Sequence, residues 1–405
     1  MAINKEQNKL NVPPLRFPEF HGEWEEHGLS EYLDFKNGLN PDSKRFGKGI
    51  KFISVMDILN NPVITYDCIR ASVQATDAEM SSFSVEYGDI LFQRSSETLE
   101  DVGRANVYID DKVAVFGGFV IRGKKKANYN PLFFRYLLSS PYARKRIIPM
   151  GAGAQHFNIG QEGLSKVLLN FPSIEEQTKI ASLLHLLDER IATQSKLIED
   201  LKKLKSAIID YAINSLDTDF AKFGSLYEMA GEGGTPTTSN ASFYDNGNIP
   251  FIKIDDLKQK YLTENKDFIT ELGLQKSSAW LVPTHSILFS NGATIGEISI
   301  TTYPVCTKQG ILGIVPKQNI DVEFLYYFMS SSYFKKAVRR IVTEGTMKTA
   351  YLKDINNILC PIPTKEKQQE IAKMPSTLNS KIDFEQSILK LFCSQKQYLL
   401  RQMFI

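Results

Sequence analysis

Pro172–Ala181 reads PSIEEQTKIA, and Pro363–Ala372 repeats this stretch in diverged form as PTKEKQQEIA. Ile180 of the first copy corresponds to Ile371 of the second, so the copies are offset by 191 residues (371 − 180 = 191). A duplicated sequence predicts a duplicated architecture, because each copy specifies the same local structure. We therefore expect an internal pseudo-two-fold repeat.

The repeat extends upstream of these stretches. YLLSSPY at Tyr136–Tyr142 matches YFMSSSY at Tyr327–Tyr333 with the same offset. Further towards the N-terminus GDILF, beginning at Gly88, matches HSILF, beginning at His285, with the small change of spacing that loops of different length require. Each half is therefore predicted to be a globular segment followed by a helical segment.

The helical segments carry apolar residues at alternating spacings of three and four, which is typical of a coiled-coil seam. Ser173 and Glu176 form a capping-box pattern before the first segment, which predicts a helix over Glu175–Asn214. In the second segment Pro375 stands where the first has Leu184, so we expect a kink there. The predicted seam residues of the two helices are Ile180, Leu184, Leu187, Ile191, Ile198, Leu201, Ile371, Leu378, Ile382 and Leu389.

The globular segments mix both types of secondary structure. Val113–Ile121 and Ile298–Thr302 are rich in β-forming residues, whereas Asn130–Ile148 and Val322–Val342 have helical periodicity and basic ends. Gly, Asn, Ser and Thr separate these stretches, as in connecting turns. The predicted fold class is therefore α+β, with mixed α/β domains.

Composition excludes several classes of protein. The 405 residues include 48 Lys and Arg against 46 Asp and Glu, so the chain is not a uniformly basic nucleic-acid binder. No stretch approaches the about 18 apolar residues of a membrane-spanning helix, and the polar N-terminus lacks a secretory signal. Cys68, Cys306, Cys360 and Cys393 lie far apart without metal-ligand spacing, so we expect reduced cysteines in a cytoplasmic protein.

Catalytic motifs are incomplete. Gly118–Lys125 comes within one residue of a phosphate-binding loop, but Lys125 stands where Ser or Thr would hold magnesium. Asn130–Phe133 only approaches the tetrapeptide of adenine methyltransferases. Asp256, Glu264 and Lys266 fit the spacing of a metal-dependent nuclease, and this alternative stays open, although the first half of the chain does not contain it. We otherwise expect no catalytic residue, no metal and no cofactor in this chain.

Features of nucleic-acid binding are better represented. Basic clusters recur at the ends of the equivalent helices, and a polar loop follows each, at Gly151–Asn158 and Thr343–Thr349. Basic side chains suit phosphate contacts, while amides and arginines can read base edges. The candidate DNA-binding residues are Arg94, Arg104, Arg144, Lys145, Arg146, Gln155, Asn158, Asn291, Lys308, Gln309, Lys335, Lys336, Arg339, Arg340 and Lys348.

The whole chain resembles the specificity (S) subunits of type I restriction-modification systems. The motifs that carry this resemblance are LRFPEF at Leu15–Phe20, PSIEEQ at Pro172–Gln177, GGTP at Gly233–Pro236, SNGATIG at Ser290–Gly296 and LLRQMF at Leu399–Phe404. Together these motifs are specific, although each alone is weak.

The resemblance implies two target recognition domains separated by a pair of long antiparallel coiled-coil helices. The expected divisions are 1–173 for the first recognition domain, 174–214 for the first spacer helix, 215–363 for the second recognition domain and 364–405 for the second spacer helix. Each recognition domain would read one half of a bipartite double-stranded DNA target, and the seam helices would bind partners. Because the two halves have diverged, that target should be asymmetric.

The resemblance also implies a hetero-oligomer. Two methylation (M) subunits and restriction (R) subunits would join the chain, and S-adenosylmethionine, ATP and magnesium would belong to those partners. The chain itself would be noncatalytic. A DNA-binding scaffold without base readout stays open as a further alternative, because its DNA affinity would not depend on sequence.

Overall fold

A computed structural model of the protein describes residues 11–342 and 348–405. The chain divides into two compact units. The first comprises the described part of Met1–Ser195 together with Ser387–Ile405, and the second comprises the described part of Lys196–Gln386.

The first unit contains the N-terminal half of the repeat. Its strands are β1 (Glu25–Gly28), β2 (Leu33–Asn37), β3 (Phe46–Ile53), β4 (Ser72–Val73), β5 (Ser84–Val85), β6 (Ile90–Gln93), β7 (Ser95–Ser96), β8 (Ala105–Val107), β9 (Ala114–Phe116), β10 (Val120–Lys125), β11 (Phe157–Asn158) and β12 (Leu168–Phe171). Its helices are α1 (Leu29–Tyr32), α2 (Val55–Asn60), α3 (Asp77–Phe83), α4 (Pro131–Ser139), α5 (Pro141–Ile147), α6 (Gln161–Ser165) and the first part of α7 (Ile174–Asn214).

The second unit contains the other copy of the globular segment. Its strands are β13 (Phe220–Lys222), β14 (Tyr227–Glu232), β15 (Ile249–Ile252), β16 (Tyr261–Leu262), β17 (Asp267–Ile269), β18 (Ile287–Ser290), β19 (Ile298–Thr301), β20 (Cys306–Thr307), β21 (Ile311–Pro316) and β22 (Leu359–Pro361). Its helices are α8 (Glu271–Gln275), α9 (Val322–Ser330), α10 (Ser332–Ile341), α11 (Leu352–Ile355) and the first part of α12 (Lys365–Gln402).

The sheets of the two units share their central strand pairings. In the first unit β2, β10, β6 and β8 form one sheet in that order, and β4, β3, β9 and β5 form another. In the second unit β14, β21, β18, β19 and β16 form one sheet, and β17, β15 and β20 form another. The antiparallel pairing of β10 with β6 and the parallel pairing of β3 with β9 recur as β21 with β18 and β15 with β20.

Each unit packs helices and sheet into one main hydrophobic core. In the first unit Phe133 and Leu137 of α4 are buried with Leu184 of α7 and Met403 near the C-terminus. In the second unit the equivalent helix α9 is buried with Ile209 and Ile213 of α7 and Ala372 of α12. The long helices thus contribute to both cores, and their segments in the first unit are antiparallel, since Asp188 contacts Lys396 and Arg190 contacts Phe392.

The repeat predicted from sequence is confirmed by equivalent hydrogen bonds. In the first unit the backbone N–H of Asn130 donates to Gln177 Oε1 at 3.1 Å. In the second unit the N–H of Asp321 donates to Gln368 Oε1 at 2.8 Å, at the same offset in sequence. Each glutamine also donates to the carbonyl of the proline before its long helix. The α+β fold class and the duplicated architecture are therefore as predicted.

The structure divides each of the two predicted helices of the globular segments. Asn130–Ile148 contains α4 and α5 with a break at Ser140, and Val322–Val342 contains α9 and α10 with a break at Ser331. At each break the serine Oγ accepts the backbone N–H three residues later at 3.2 Å. Helical periodicity alone missed these breaks, because a serine that caps a new helix resembles any polar position of a continuous helix.

The long helices also differ in detail from the prediction. The N–H of Glu176 donates to Ser173 Oγ at 3.3 Å, which is half of the predicted capping box. The Glu176 carboxylate instead accepts from Arg16 Nη2 at 2.7 Å, and thereby ties the N-terminal segment to α7. Helix α12 is continuous through the buried Pro375, which a kinked helix would be as well, so the kink stays a prediction.

Candidate nucleic-acid interface

Three loops of the first unit meet at Arg94, the residue after β6. The backbone N–H of Arg94 donates to the carbonyl of Phe119 at 2.9 Å, and its carbonyl accepts from Ile159 at 3.0 Å. The guanidinium donates to the carbonyl of Gly118 at 3.3 Å. Next to it β7 pairs with β11, with Ser95 opposite Asn158. The end of β6, the turn between β9 and β10 and the loop that contains β11 therefore form one surface.

The second unit builds the same surface with different residues. The N–H of Asn291 donates to the carbonyl of Gly310 at 3.0 Å, and its carbonyl accepts from Ala350 at 2.8 Å. An antiparallel bridge joins Gly292 to Thr349, as Ser95 is joined to Asn158 in the first unit. Asn291 is therefore the structural equivalent of Arg94. We call these two surfaces the first and the second loop surface.

Several candidate DNA-binding residues lie exposed on the loop surfaces. Gln155 and Asn158 are exposed on the first, although Asn158 Oδ1 accepts a hydrogen bond from the Ser95 hydroxyl. Lys308 and Gln309 are exposed in the turn between β20 and β21 of the second. Lys348 is exposed beside Thr349, whereas the other residues of its predicted loop, 343–347, lie outside the described residues.

The remaining predicted base readers occupy other environments. Arg94 is half-buried, and Arg104 is exposed with Nη2 2.6 Å from Asp101 Oδ1. Asn291 is buried, and its amide nitrogen donates to the carbonyl of Ala350 at 3.3 Å. The Asn291 side chain therefore stabilises the loop from inside and is not exposed to read a base, contrary to the prediction.

The two basic helix ends are equivalent in sequence but differ in structure. On α5 the Arg144 guanidinium points inwards and donates to the carbonyls of Gly103, Glu100 and Val102 at 2.6 to 3.0 Å. Burial lowers the pKa of Arg144 to about 10. Arg144 thus holds the loop that follows β6 and does not face a phosphate, contrary to the prediction. Lys145 is exposed, and the half-buried Arg146 lies 3.9 Å over the Tyr142 ring.

On α10 all the predicted basic residues reach the surface. Lys335, Lys336, Arg339 and Arg340 are exposed. Lys335, Arg339 and Lys348 line one cavity of about 610 Å³, which also includes Glu297 at the end of the second loop surface. This cavity brings three cations together beside the loops, an arrangement that suits phosphate contacts.

The segments that resembled catalytic motifs in the sequence do not form the corresponding sites in the described residues. Asp256, Glu264 and Lys266 do line one cavity of about 440 Å³. Within residues 11–342 and 348–405, however, no group of three His, Cys, Asp or Glu side chains is placed to hold a metal ion. Gly118–Lys125 forms a turn and β10 instead of the start of a helix, and Asn130 caps α4 by accepting the N–H of Phe133 at 3.0 Å.

The predicted seam residues face inwards to different degrees. Buried members are Ile180, Leu184, Leu187, Ile198 and Ile382, and half-buried members are Ile191, Leu201, Ile371, Leu378 and Leu389. Large apolar side chains outside the predicted seam remain exposed on the same helices, at Leu186, Leu197, Leu204, Tyr211, Met374, Phe384, Leu391 and Tyr398. Seven-residue spacing relates Leu197 to Leu204 and Leu204 to Tyr211, which is the spacing of a second apolar stripe.

Two structural features were not predicted from the sequence, one on the first loop surface and one on α7. Phe119 is 69% exposed at the tip of the first loop surface. Asp188 joins α7 to α4 by accepting from Tyr136 Oη at 2.9 Å and from Arg135 Nη1 at 3.2 Å. Aligning the repeat at Arg94 and Asn291 would have drawn attention to Phe119, because Gly310 replaces it in the second unit.

Comparison with known proteins agrees with this architecture. Residues 21–203 and 217–391 match the family described as the type I restriction modification DNA specificity domain. The type I restriction enzyme HindI specificity subunit of Haemophilus influenzae is 22% identical, with 80% of this chain and 86% of that protein covered. The MjaIX specificity subunit of Methanocaldococcus jannaschii is 29% identical over 41% of this chain and 39% of that protein.

A solved structure extends the likeness to the fold. The S subunit of a type I restriction-modification system from M. genitalium superposes with a TM-score of 0.58 at 17% identity, covering 97% of this chain and 99% of that one. None of the helices in the described part of the chain has the length and apolar character to cross a membrane. With both halves of the repeat matched, the chain belongs to the family of type I restriction-modification DNA specificity proteins.

Proposed function

We propose that this chain selects the DNA sites at which a type I restriction-modification complex acts, by binding an asymmetric bipartite target. The observation that carries this proposal is the pair of equivalent loop surfaces. Both rest on the same backbone hydrogen bonds, but they carry different residues, Phe119 and Asn158 in one unit and Gly310 and Thr349 in the other. Two readers of unlike chemistry suit two unlike half-sites.

Residues 1–173 and 215–363 would be the recognition domains, and 174–214 and 364–405 the spacer helices. Base readout would come from Arg94, Arg104, Gln155, Asn158, Lys308 and Gln309. Phosphate contacts would come from Lys145, Arg146, Lys335, Lys336, Arg339, Arg340 and Lys348. The cavity that Lys335, Arg339 and Lys348 line supports the phosphate assignment in the second unit.

Methylation subunits would dock on the long helices, and restriction subunits would join that complex. The exposed Leu197, Leu204 and Tyr211, which share one stripe of α7 within the second unit, support this proposal, since exposed apolar patches mark interaction sites. A Leu204→Asp substitution should prevent a methylation subunit from associating, as measured by light scattering of the co-expressed complex. Ser206→Asp adds the same charge on another side of α7 and should leave assembly intact.

Catalysis would belong to the partners, which would use S-adenosylmethionine, ATP and magnesium in the cytoplasm. The chain's family consists of specificity domains, which supports a recognition role without catalysis. The cavity at Asp256, Glu264 and Lys266 leaves one test for the nuclease alternative. The purified chain should not cut DNA in the presence of magnesium, and cleavage abolished by Asp256→Asn would refute the proposal.

The decisive experiment is detection of methylated adenine by long-read sequencing of cells that carry the methylation subunit, with and without this chain. We expect one bipartite asymmetric motif to lose methylation when the chain is deleted. Replacing residues 1–173 with another recognition domain should change one half-site only. Methylation that is unchanged by deletion would contradict the specificity role, and changes in both half-sites would contradict the modular arrangement.

A further inference from the structure

The first loop surface carries exposed apolar side chains. Phe119 is 69% exposed and Met56 is 61% exposed, and both line a cleft of about 480 Å³ together with Phe46 and Phe52. Ser95 lines the same cleft, and its hydroxyl donates to Asn158, one of the proposed base readers. The apolar cleft is thus continuous with the residues that would meet the base edges.

Phe119 is presented by a turn with little freedom. The N–H of Val120 donates to the carbonyl of Gly117 at 2.8 Å and closes the turn. A Cβ at Gly118 would lie 1.8 Å from Asn40 Oδ1, so a larger residue would force Asn40 away. Arg94 holds the other side of the turn through its backbone and its guanidinium. The backbone of this turn therefore loses little conformational entropy when Phe119 binds, which favours a recognition role.

The second loop surface does not repeat this feature. Its equivalent position is Gly310, which has a φ of +92°. Its N–H donates to Glu232 Oε1 at 2.9 Å, and the neighbouring N–H of Gln309 donates to Thr235 Oγ1 at 3.3 Å. The tip of this turn therefore carries no apolar side chain, and exposed Lys308 and Gln309 precede it.

We infer that Phe119, which lines the apolar cleft with Met56 and Phe46, contacts the 5-methyl group of a thymine in the half-site read by the first unit. The thymine methyl is the apolar group that the major groove displays beside its donors and acceptors, and it alone distinguishes thymine from uracil. This inference rests on the proposed function, because it requires that the first unit reads a half-site. It makes Phe119 a specificity-determining residue for one half-site only.

The test uses the full chain in complex with its methylation subunits, on duplexes that contain its mapped target. Each thymine of the first half-site is replaced in turn by deoxyuridine, which removes one methyl group and keeps base pairing. One replacement should weaken binding about fourfold, the effect of losing one buried methyl-sized group. The same replacement should have no effect on the Phe119→Ala complex, which should itself bind the intact target at least as weakly as the wild type binds the uracil duplex.

The matched control is Tyr87→Ala. Tyr87 is 54% exposed and precedes β6, at the end of that strand away from Arg94. The Tyr87→Ala complex should therefore keep the full deoxyuridine effect. Because the deoxyuridine measurement on wild type needs no variant, poor folding of Phe119→Ala would leave the inference testable.

Several outcomes would overturn the inference. These are a first half-site without thymine on either strand, equal binding of all the deoxyuridine duplexes, or a deoxyuridine effect that persists in Phe119→Ala. A rise in fluorescence of 2-aminopurine that depends on Phe119 would indicate insertion between base pairs instead. Loss of methylation-subunit assembly in Phe119→Ala would assign the cleft to a protein partner. In each case sequence-specific binding by the complex would still support the proposed function, whereas its absence would refute both.

Discussion

Replacing Asp188 with Asn should destabilise the first unit selectively. The carboxylate accepts from Tyr136 Oη at 2.9 Å and from Arg135 Nη1 at 3.2 Å, and it forms an ion pair with Lys396 of α12. Asp188 is 16% exposed, Arg135 15% and Lys396 22%, so solvent screens these charges only in part. The substitution keeps the shape of the side chain but leaves two half-buried cations without a carboxylate.

The expected loss in the free energy of unfolding is about 3 kcal/mol. Hydrogen bonds to a charged group contribute about 1.5–3 kcal/mol each, and removal of one partner of a buried ion pair costs about 3–5 kcal/mol. The asparagine oxygen still accepts one hydrogen bond, and Arg135 still lies 4.9 Å over the Tyr136 ring, which keeps the loss near the lower end.

The second unit offers a matched control, because Asn379 occupies the equivalent position. Its Oδ1 accepts from Lys205 Nζ at 2.8 Å, and its Nδ2 donates to Asp383 Oδ2 at 3.0 Å. Asn379→Asp would gain attraction to Lys205 but would lose the donor and repel Asp383. We therefore expect a change below about 1 kcal/mol from these opposing effects.

The two tryptophans of the chain allow the units to be followed separately. Trp24 lies in the core of the first unit and Trp280 beside a core of the second. Denaturant titrations of Trp280→Phe and Trp24→Phe chains, which each retain one tryptophan, would report one unit at a time. Asp188→Asn should lower the midpoint seen by Trp24. An unchanged Trp24 transition, or a larger shift at Trp280, would refute the assigned role of Asp188.

Other measurements test the charges and thiols of the two units. Lys335→Ala and Arg339→Ala should each reduce the slope of log affinity against log salt by about 0.9, whereas Arg144→Ala should leave that slope unchanged and destabilise the first unit. The Arg45 ion pair lowers the pKa of Glu79 from 4.5 to about 2. Glu79 therefore adds stability above pH 4.5 that is lost as the pH falls towards 2, so the stability gap between wild type and Glu79→Gln should close over that range. Burial raises the pKa of Cys306 to about 11, so iodoacetamide should label the exposed Cys393 and spare Cys306 in the native chain, as mass spectrometry would detect.

The repeat could be predicted from the sequence because the residues that match between the two halves make the same hydrogen bonds in both units. Gln177 and Gln368 keep the same hydrogen bonds in both units, and so do the capping serines Ser140 and Ser331. Such contacts are local or depend on one pairing, so the sequence around them stays similar. The long helix was predicted within one residue, as Glu175–Asn214 against Ile174–Asn214, because its apolar period is long and regular.

The orientation of individual basic side chains could not be read in this way. Arg144 and Lys335 occupy equivalent positions, yet Arg144 binds three backbone carbonyls and Lys335 is exposed. What differs is the loop after β6, which is long enough in the first unit to cover Arg144. Whether a basic side chain faces solvent or binds a backbone carbonyl thus depends on residues that are distant in sequence. A cluster of basic residues in the sequence does not show this.

The loop surfaces explain how one fold can serve two different half-sites. The bonds that fix the loops join backbone atoms, from Arg94 to Phe119 and Ile159 in one unit and from Asn291 to Gly310 in the other. Backbone groups are the same for every non-proline residue, so the side chains at these positions can change without loss of the bonds. Recognition can therefore diverge faster than the scaffold that supports it, because exposed side chains at a loop tip contribute little to stability. The same separation predicts that exchanging Phe119 alone alters which DNA is read before it alters whether the unit folds.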